Sequence, residues 1–314
     1  MAGGAEGARK ALAGALAILA CAVLVFVPVA WWIDQRLTET DGWVSLVEPL
    51  PRDPGVQDAI AGELAEVLLD GLNVTGVKRD AAEPIARETA ASFIGSDAFT
   101  AVWTRANTVA HQGLIAELRN EGRRDQEPRL QLITAAAVLL DRLEQPLSRV
   151  VELPAAVPEV PADPTADEAR AVLDTAFGRR LPRDRAAIEL VPADQIDRAR
   201  AVYRVVDGSA VWAGALAAGL LIGAVLASTD RWGLVGRVGF VVAIGCLAVW
   251  LAAATLLPLA ARTLSSRAET RVVSGAAAER AAADLGHVLV VAAIVAAVIA
   301  VVALVGRSVT HRST

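Results

Sequence analysis

Four uncharged stretches constrain this chain more than any other feature, and their spacing matters as much as their number. They cover residues 11–33, 209–229, 238–260 and 285–306, and none contains Asp, Glu, Lys or Arg. Each holds 21 to 23 residues, and at about 1.5 Å rise per residue a helix of that length crosses a ~30 Å hydrocarbon core. Between the first and second lie about 175 residues carrying most of the charge. The expected fold class is a mainly α membrane protein, with one transmembrane helix, a mostly helical extracytoplasmic domain that has room for a minor β-sheet, and then three more transmembrane helices.

A signal peptide competes for the first stretch, because a basic n-region precedes an apolar run. This run exceeds the 7–15 residues of an h-region. It ends in Trp31 and Trp32, which suit the headgroup belt, and Pro28-Val29-Ala30 is a poor cleavage site. The anchor reading is preferred.

Charge then orients the segments. With Arg9 and Lys10 in the cytoplasm, the positive-inside rule places the short Arg231/Arg237 turn and the Arg307/Arg312 tail there too. Residues 34–207 hold 20 Arg/Lys against 30 Asp/Glu, a net of −10, and the remainder sums to +5, recovering the overall −5. The expected division is a cytoplasmic N-terminus at 1–10, a helix at 11–33, an extracytoplasmic domain at 34–208 and a helix at 209–229. A cytoplasmic turn at 230–237, a helix at 238–260, an outer helical loop at 261–284, a helix at 285–306 and a cytoplasmic tail at 307–314 complete it. The rule is weakest at 261–284, where Arg262, Arg267, Arg271 and Arg280 slightly outnumber three acids. That loop reads as a helical hairpin arm or a surface helix, with a solvated face as the plain alternative. The localisation expected is the bacterial plasma membrane, multi-pass, both termini inside, with the lipid bilayer as first partner. Twenty-eight arginines against two lysines fit a GC-rich bacterial genome.

Both cysteines, Cys21 and Cys246, fall within membrane stretches, so the exported domain has no disulfide and needs its own core. Intramembrane charge usually marks an ion or proton path, and its absence argues against a pump, a charge-selective channel or a voltage sensor. His287, beside the last stretch, reads as interfacial. Gly219 and Gly223 have the small-xxx-small spacing of a close helix contact, and Pro258 is a candidate end for the third helix.

Within the exported domain, Asp53-Pro54 marks a helix start with Val56, Ile60, Leu64, Val67 and Leu68 on one face and Gly71 at its end. A helix from about Asp80 to Ile94 follows, and Ser96 caps another through Arg119. Residues 129–134 and 185–192 are strand candidates, and a helix runs to about Ser148. Four prolines in 150–164 require an extended connection, and Thr165 with Glu168 forms a capping box. Asp194 is a cap for a helix through Tyr203 that has the option of continuing into the membrane.

Trp103, Asn107 and His111 share one helical face at i, i+4 and i+8. The preferred reading is a packed structural face; a pH-sensing His111 is the sharper alternative. A lone histidine cannot build a zinc site, and no G-x-S-x-G, S-x-x-K, Walker A or G-x-G-x-x-G occurs. No cofactor, metal or catalytic residue is expected, and the acidic domain disfavours nucleic acid. The Arg179, Arg180, Arg183, Arg185 cluster reads as a solvated loop with the option of an acidic partner. The Asn73-Val74-Thr75 sequon carries no weight in a bacterial protein.

Residues 37–57 (LTETDGWVSLVEPLPRDPGVQ), 99–118 (FTAVWTRANTVAHQGLIAEL) and 188–207 (IELVPADQIDRARAVYRVVD) together resemble a group of actinobacterial integral membrane proteins. That resemblance implies four membrane helices and a large extracytoplasmic domain, and it implies no activity. The glycine-containing segment before 188 is represented only by Phe177-Gly178. The functional expectation is a non-enzymatic envelope protein whose outer domain contacts a partner or a cell-wall component, or senses. The alternative is a permease-like subunit of FtsX-type topology, against which the short amino terminus leaves little to grip a cytoplasmic ATPase. An exported enzyme is a third expectation, requiring a water-accessible cluster at Trp103 or His111. Oligomeric state is left open by the sequence.

Overall fold

The computed structural model describes residues 2–119, 129–149, 158–161, 164–180, 187–189, 196–264 and 268–310. Its helices are α1 (Ala2–Ile33), α2 (Thr40–Val47), α3 (Pro54–Gly71), α4 (Val77–Ile94), α5 (Asp97–Leu118), α6 (Ile133–Leu147), α7 (Ala166–Phe177), α8 (Ile196–Val206), α9 (Ser209–Ala227), α10 (Arg231–Leu264) and α11 (Ala268–Thr310). Two tripeptides, β1 (Arg129–Gln131) and β2 (Ala187–Glu189), pair antiparallel with Leu130 opposite Ile188. Among the described residues, four helical segments are long and apolar enough to cross a membrane, at Gly7–Thr38, Ser209–Ala227, Arg231–Ala261 and Arg271–Ser308. They fit a multi-pass membrane protein.

The chain divides into two compact units. The first comprises Met1–Glu39, Val202–Ala260 and Ala278–Thr314. Its core joins Ala13 and Trp32 of α1, Ala224 of α9, Val238, Val242 and Cys246 of α10, and Leu285, Leu289 and Ala293 of α11. Small residues set the helix spacing here. A Cβ on Gly239 would lie 2.7 Å from the Ala296 carbonyl oxygen, and one on Gly245 would lie 2.6 Å from Val25. In a bilayer, where water supplies no hydrophobic drive between helices, such backbone approach provides the packing contacts.

The polar groups of this unit sit at its two ends. At one end Arg9 donates to the Leu226 and Ala227 carbonyls, satisfying the unpaired C-terminus of α9, and Arg307 pairs with Asp230 at 3.1 Å. At the other end Asp284 accepts from Trp32 Nε1 at 2.8 Å and from Arg36 Nε at 2.9 Å. Counted along either α1 or α11, the two levels are roughly 35–40 Å apart, which matches a hydrocarbon core plus part of each headgroup layer.

The second unit comprises Thr40–Ala201 and Ala261–Ala277. Asp53 caps α3 by accepting from the Gly55 and Val56 amides, and the expected face of Val56, Ile60, Leu64, Val67 and Leu68 is buried throughout. Those side chains meet Phe93 of α4, Leu139, Leu140 and Leu143 of α6, and Leu173 of α7 in one core. Each such side chain contributes about 1.5–3 kcal/mol on burial. The Thr165–Glu168 capping box forms as the sequence required. Across the α3–α4 turn, Arg79 donates to Asp70 at 2.6 Å. That bond pushes the guanidinium pKa further up, and desolvation only partly offsets it.

Several expectations are corrected. The segment 230–237 is not a turn: Asp230 accepts from the Gly233 amide and α10 begins at Arg231, so Arg237 is helical. Pro258 does not end that helix, which continues to Leu264; one lost backbone bond is tolerated in a membrane helix. Residues 261–284 are no separate surface helix, because α10 reaches Leu264 and α11 begins at Ala268. Nor is that stretch simply solvated: Val273, Ala276 and Ala277 pack on the second unit's core. α8 does not run on into α9, because Gly208, in the left-handed region at φ 69°, interrupts it. Gly71 is the last residue of α3, as expected, and its missing side chain leaves room for the Phe177 ring. Pro154 of the extended connection, Arg183 and Arg185 of the arginine cluster, and the helix cap expected at Asp194 lie outside the described residues.

Candidate functional site

The Trp103–Asn107–His111 face of α5 is assembled and buried, at 2%, 3% and 2% exposure. Its partner is α2, read almost from end to end. Trp103 Nε1 donates to the Val47 carbonyl at 3.0 Å, at the last residue of α2, where no intrahelical donor remains. His111 Nδ1 lies 3.2 Å from Thr40 Oγ1, at the first residue of α2. Trp43 stacks on the His111 ring with centroids 5.5 Å apart and planes 16° apart. Asn107 Nδ2 donates to the Trp103 carbonyl at 2.9 Å, so that buried amide is turned back on its own helix.

A second tie reaches α5 from α8. Arg200 donates to Glu117 Oε1 at 2.7 Å and to the Glu117 carbonyl at 3.3 Å. The three sequence segments 37–57, 99–118 and 188–207 therefore meet: α2 and α8 both dock on α5. Sequence reasoning singled out the α5 triad and missed Thr40, Trp43, Glu117 and Arg200. The available sign was that Thr40, Trp43 and Val47 recur at helical spacing in the first segment.

Chemically this cluster is a clamp. His111 is packed beneath Trp43, with almost all of its surface buried. Among the described residues, no group of three or more His, Cys, Asp or Glu side chains could hold a metal ion.

The neighbouring, more exposed face of α5 differs. Asp97, Thr100, Ala101, Thr104, Arg105 and Thr108 line a shallow, open concavity of about 600 Å³. Asp97, Thr100, Thr104, Arg105 and Thr108 recur at i, i+3, i+7, i+8 and i+11 with Ala101 at i+4, so hydroxyl and charged tips lie among apolar methyl and methylene surface.

In the first unit, Gly219 and Gly223 do not act as a pair. Gly223 would place a Cβ 3.4 Å from Leu16 of α1, whereas Gly219 is exposed and a Cβ there would meet nothing. The buried positions of α9 are Ala217 and Ala224. His287 is exposed, with Nδ1 3.1 Å from the Ala283 carbonyl oxygen. Arg179, from the arginine cluster, donates to the Asp70 carbonyl at 2.6 Å.

No protein-family model matches the chain, and no curated protein or solved structure is significantly similar to it.

Proposed function

We propose that this is a non-enzymatic integral membrane protein of the bacterial envelope, whose second unit faces outward and contacts an envelope protein or a cell-wall component. The segregation of charge carries this reading. The 34–207 segment has a net charge of −10, while basic residues prevail in the short segments around Arg9, Arg231 and Arg307, the side that the positive-inside rule assigns to the cytoplasm. The four spans serve as an anchor, and the surface offered to the partner is the threonine-lined concavity of α5. Hydroxyl and charged groups on an open surface suit a polar partner such as a glycan or peptide of the wall.

A photo-crosslinking residue at Thr104 in intact cells tests it. Adducts with wall material or an envelope protein are expected. Capture of cytoplasmic proteins at Thr104 instead would contradict the outward orientation, and co-purification of the full-length protein with a cytoplasmic ATP-hydrolysing partner would favour the FtsX-type alternative.

A further inference from the structure

The first unit also contains a groove along its membrane helices. A cavity of about 790 Å³ runs between α1 and α10, lined on α1 by a continuous face from Lys10 to Val25 and on α10 from Leu234 to Gly245. Its floor is concave because α1 presents Gly14, Ala17, Cys21 and Ala22 there. The α1 face is about 22 Å long, close to one leaflet of a bilayer including its headgroup layer.

The groove is polar at one end only. Lys10 and Arg237 flank that end with Ser228, Thr229 and Asp230, and the remainder is apolar. The single acid is already engaged: Asp230 pairs with Arg307 and caps α10 through the Gly233 amide. Arg9, Lys10, Arg231, Arg237 and Arg307 outnumber the acids of this end, Glu6 and Asp230. Arg237 is exposed, with its Nε donating to the Gly233 carbonyl at 3.0 Å.

We propose that this groove holds an anionic phospholipid, its phosphate at Lys10 and Arg237 and an acyl chain laid along Gly14–Val25. Length, one-ended polarity and charge all match that occupant, and basic pockets between membrane helices are the known chemistry of such headgroup binding. The assignment is independent of which way the protein faces and of what the second unit contacts, so it stands or falls separately from the proposed function.

The full-length protein, purified in a neutral detergent, is titrated with phosphatidylglycerol, phosphatidylcholine or inorganic phosphate, and bound lipid is read by native mass spectrometry. Wild type should retain phosphatidylglycerol over phosphatidylcholine by about tenfold to thirtyfold, the range two basic side chains supply, and phosphate should not compete. Lys10→Gln with Arg237→Gln should abolish the preference while leaving lipid of either kind bound. Gly14→Leu should reduce retention of both lipids, since a Cβ there enters open space and disturbs no neighbour. Equal retention of the two lipids by wild type, displacement by phosphate alone, or unchanged retention in a helical Gly14→Leu variant would each overturn the assignment.

Discussion

Arg36 and Asp284, separated by 248 residues, form a two-pronged pair at 2.9 and 3.2 Å that joins the end of the first membrane helix to the last. Trp32 adds a third donor to the same carboxylate at 2.8 Å. Asp284→Ala leaves two donors without their acceptor. The pair is about one-third exposed, so water recovers part of the loss, and a destabilisation of about 1–2 kcal/mol is expected. Unfolding in detergent checks this, and a double-mutant cycle with Arg36→Ala should show coupling of at least about 0.5 kcal/mol.

The clamp on α5 separates packing from hydrogen bonding. Trp103→Phe keeps most of the ring volume but orphans the Val47 carbonyl, at a cost of about 1–3 kcal/mol. Trp103→Ala also opens a cavity and should cost about 3–5 kcal/mol. Denaturant titration of the two variants gives the order; equal costs would mean that the ring contributes little.

Two glycines predict opposite outcomes. Gly239→Ala drives a Cβ against the backbone of α11, at 2.7 Å from the Ala296 carbonyl oxygen and 3.1 Å from the Ala300 amide nitrogen, and should destabilise by about 1–3 kcal/mol. Gly219→Ala meets nothing and should be neutral or stabilising by up to about 1 kcal/mol. Melting temperatures in the same detergent compare them directly.

Much of the fold was legible because local chemistry dictates it. Asp53-Pro54, Ser96 and the Thr165–Glu168 box each specify a helix start within a few residues, and the structure uses all three. Membrane helix ends were less legible, since hydropathy marks where lipid ends, not where the helix ends. Arg237 and Ala268 lie beyond the apolar runs and are still helical. The α5 triad was visible as a periodic face, but its partner was not, because Thr40 and Trp43 lie 71 and 68 residues away from His111 and only tertiary packing brings them together. The small-residue seam was misplaced for a related reason. Gly219 and Gly239 are both glycines within apolar helices, and only the rotation of each helix decides which faces a neighbour.

The most direct measurement concerns the side on which the acidic unit lies. With Cys21 and Cys246 replaced by serine, single cysteines are introduced at Val77, 85% exposed at the start of α4, and at Ser308, near the end of α11. A membrane-impermeant maleimide applied to intact cells should label Val77→Cys at once and Ser308→Cys only after lysis. Labelling of Ser308→Cys in intact cells with Val77→Cys protected would contradict the charge-based orientation on which the functional account rests.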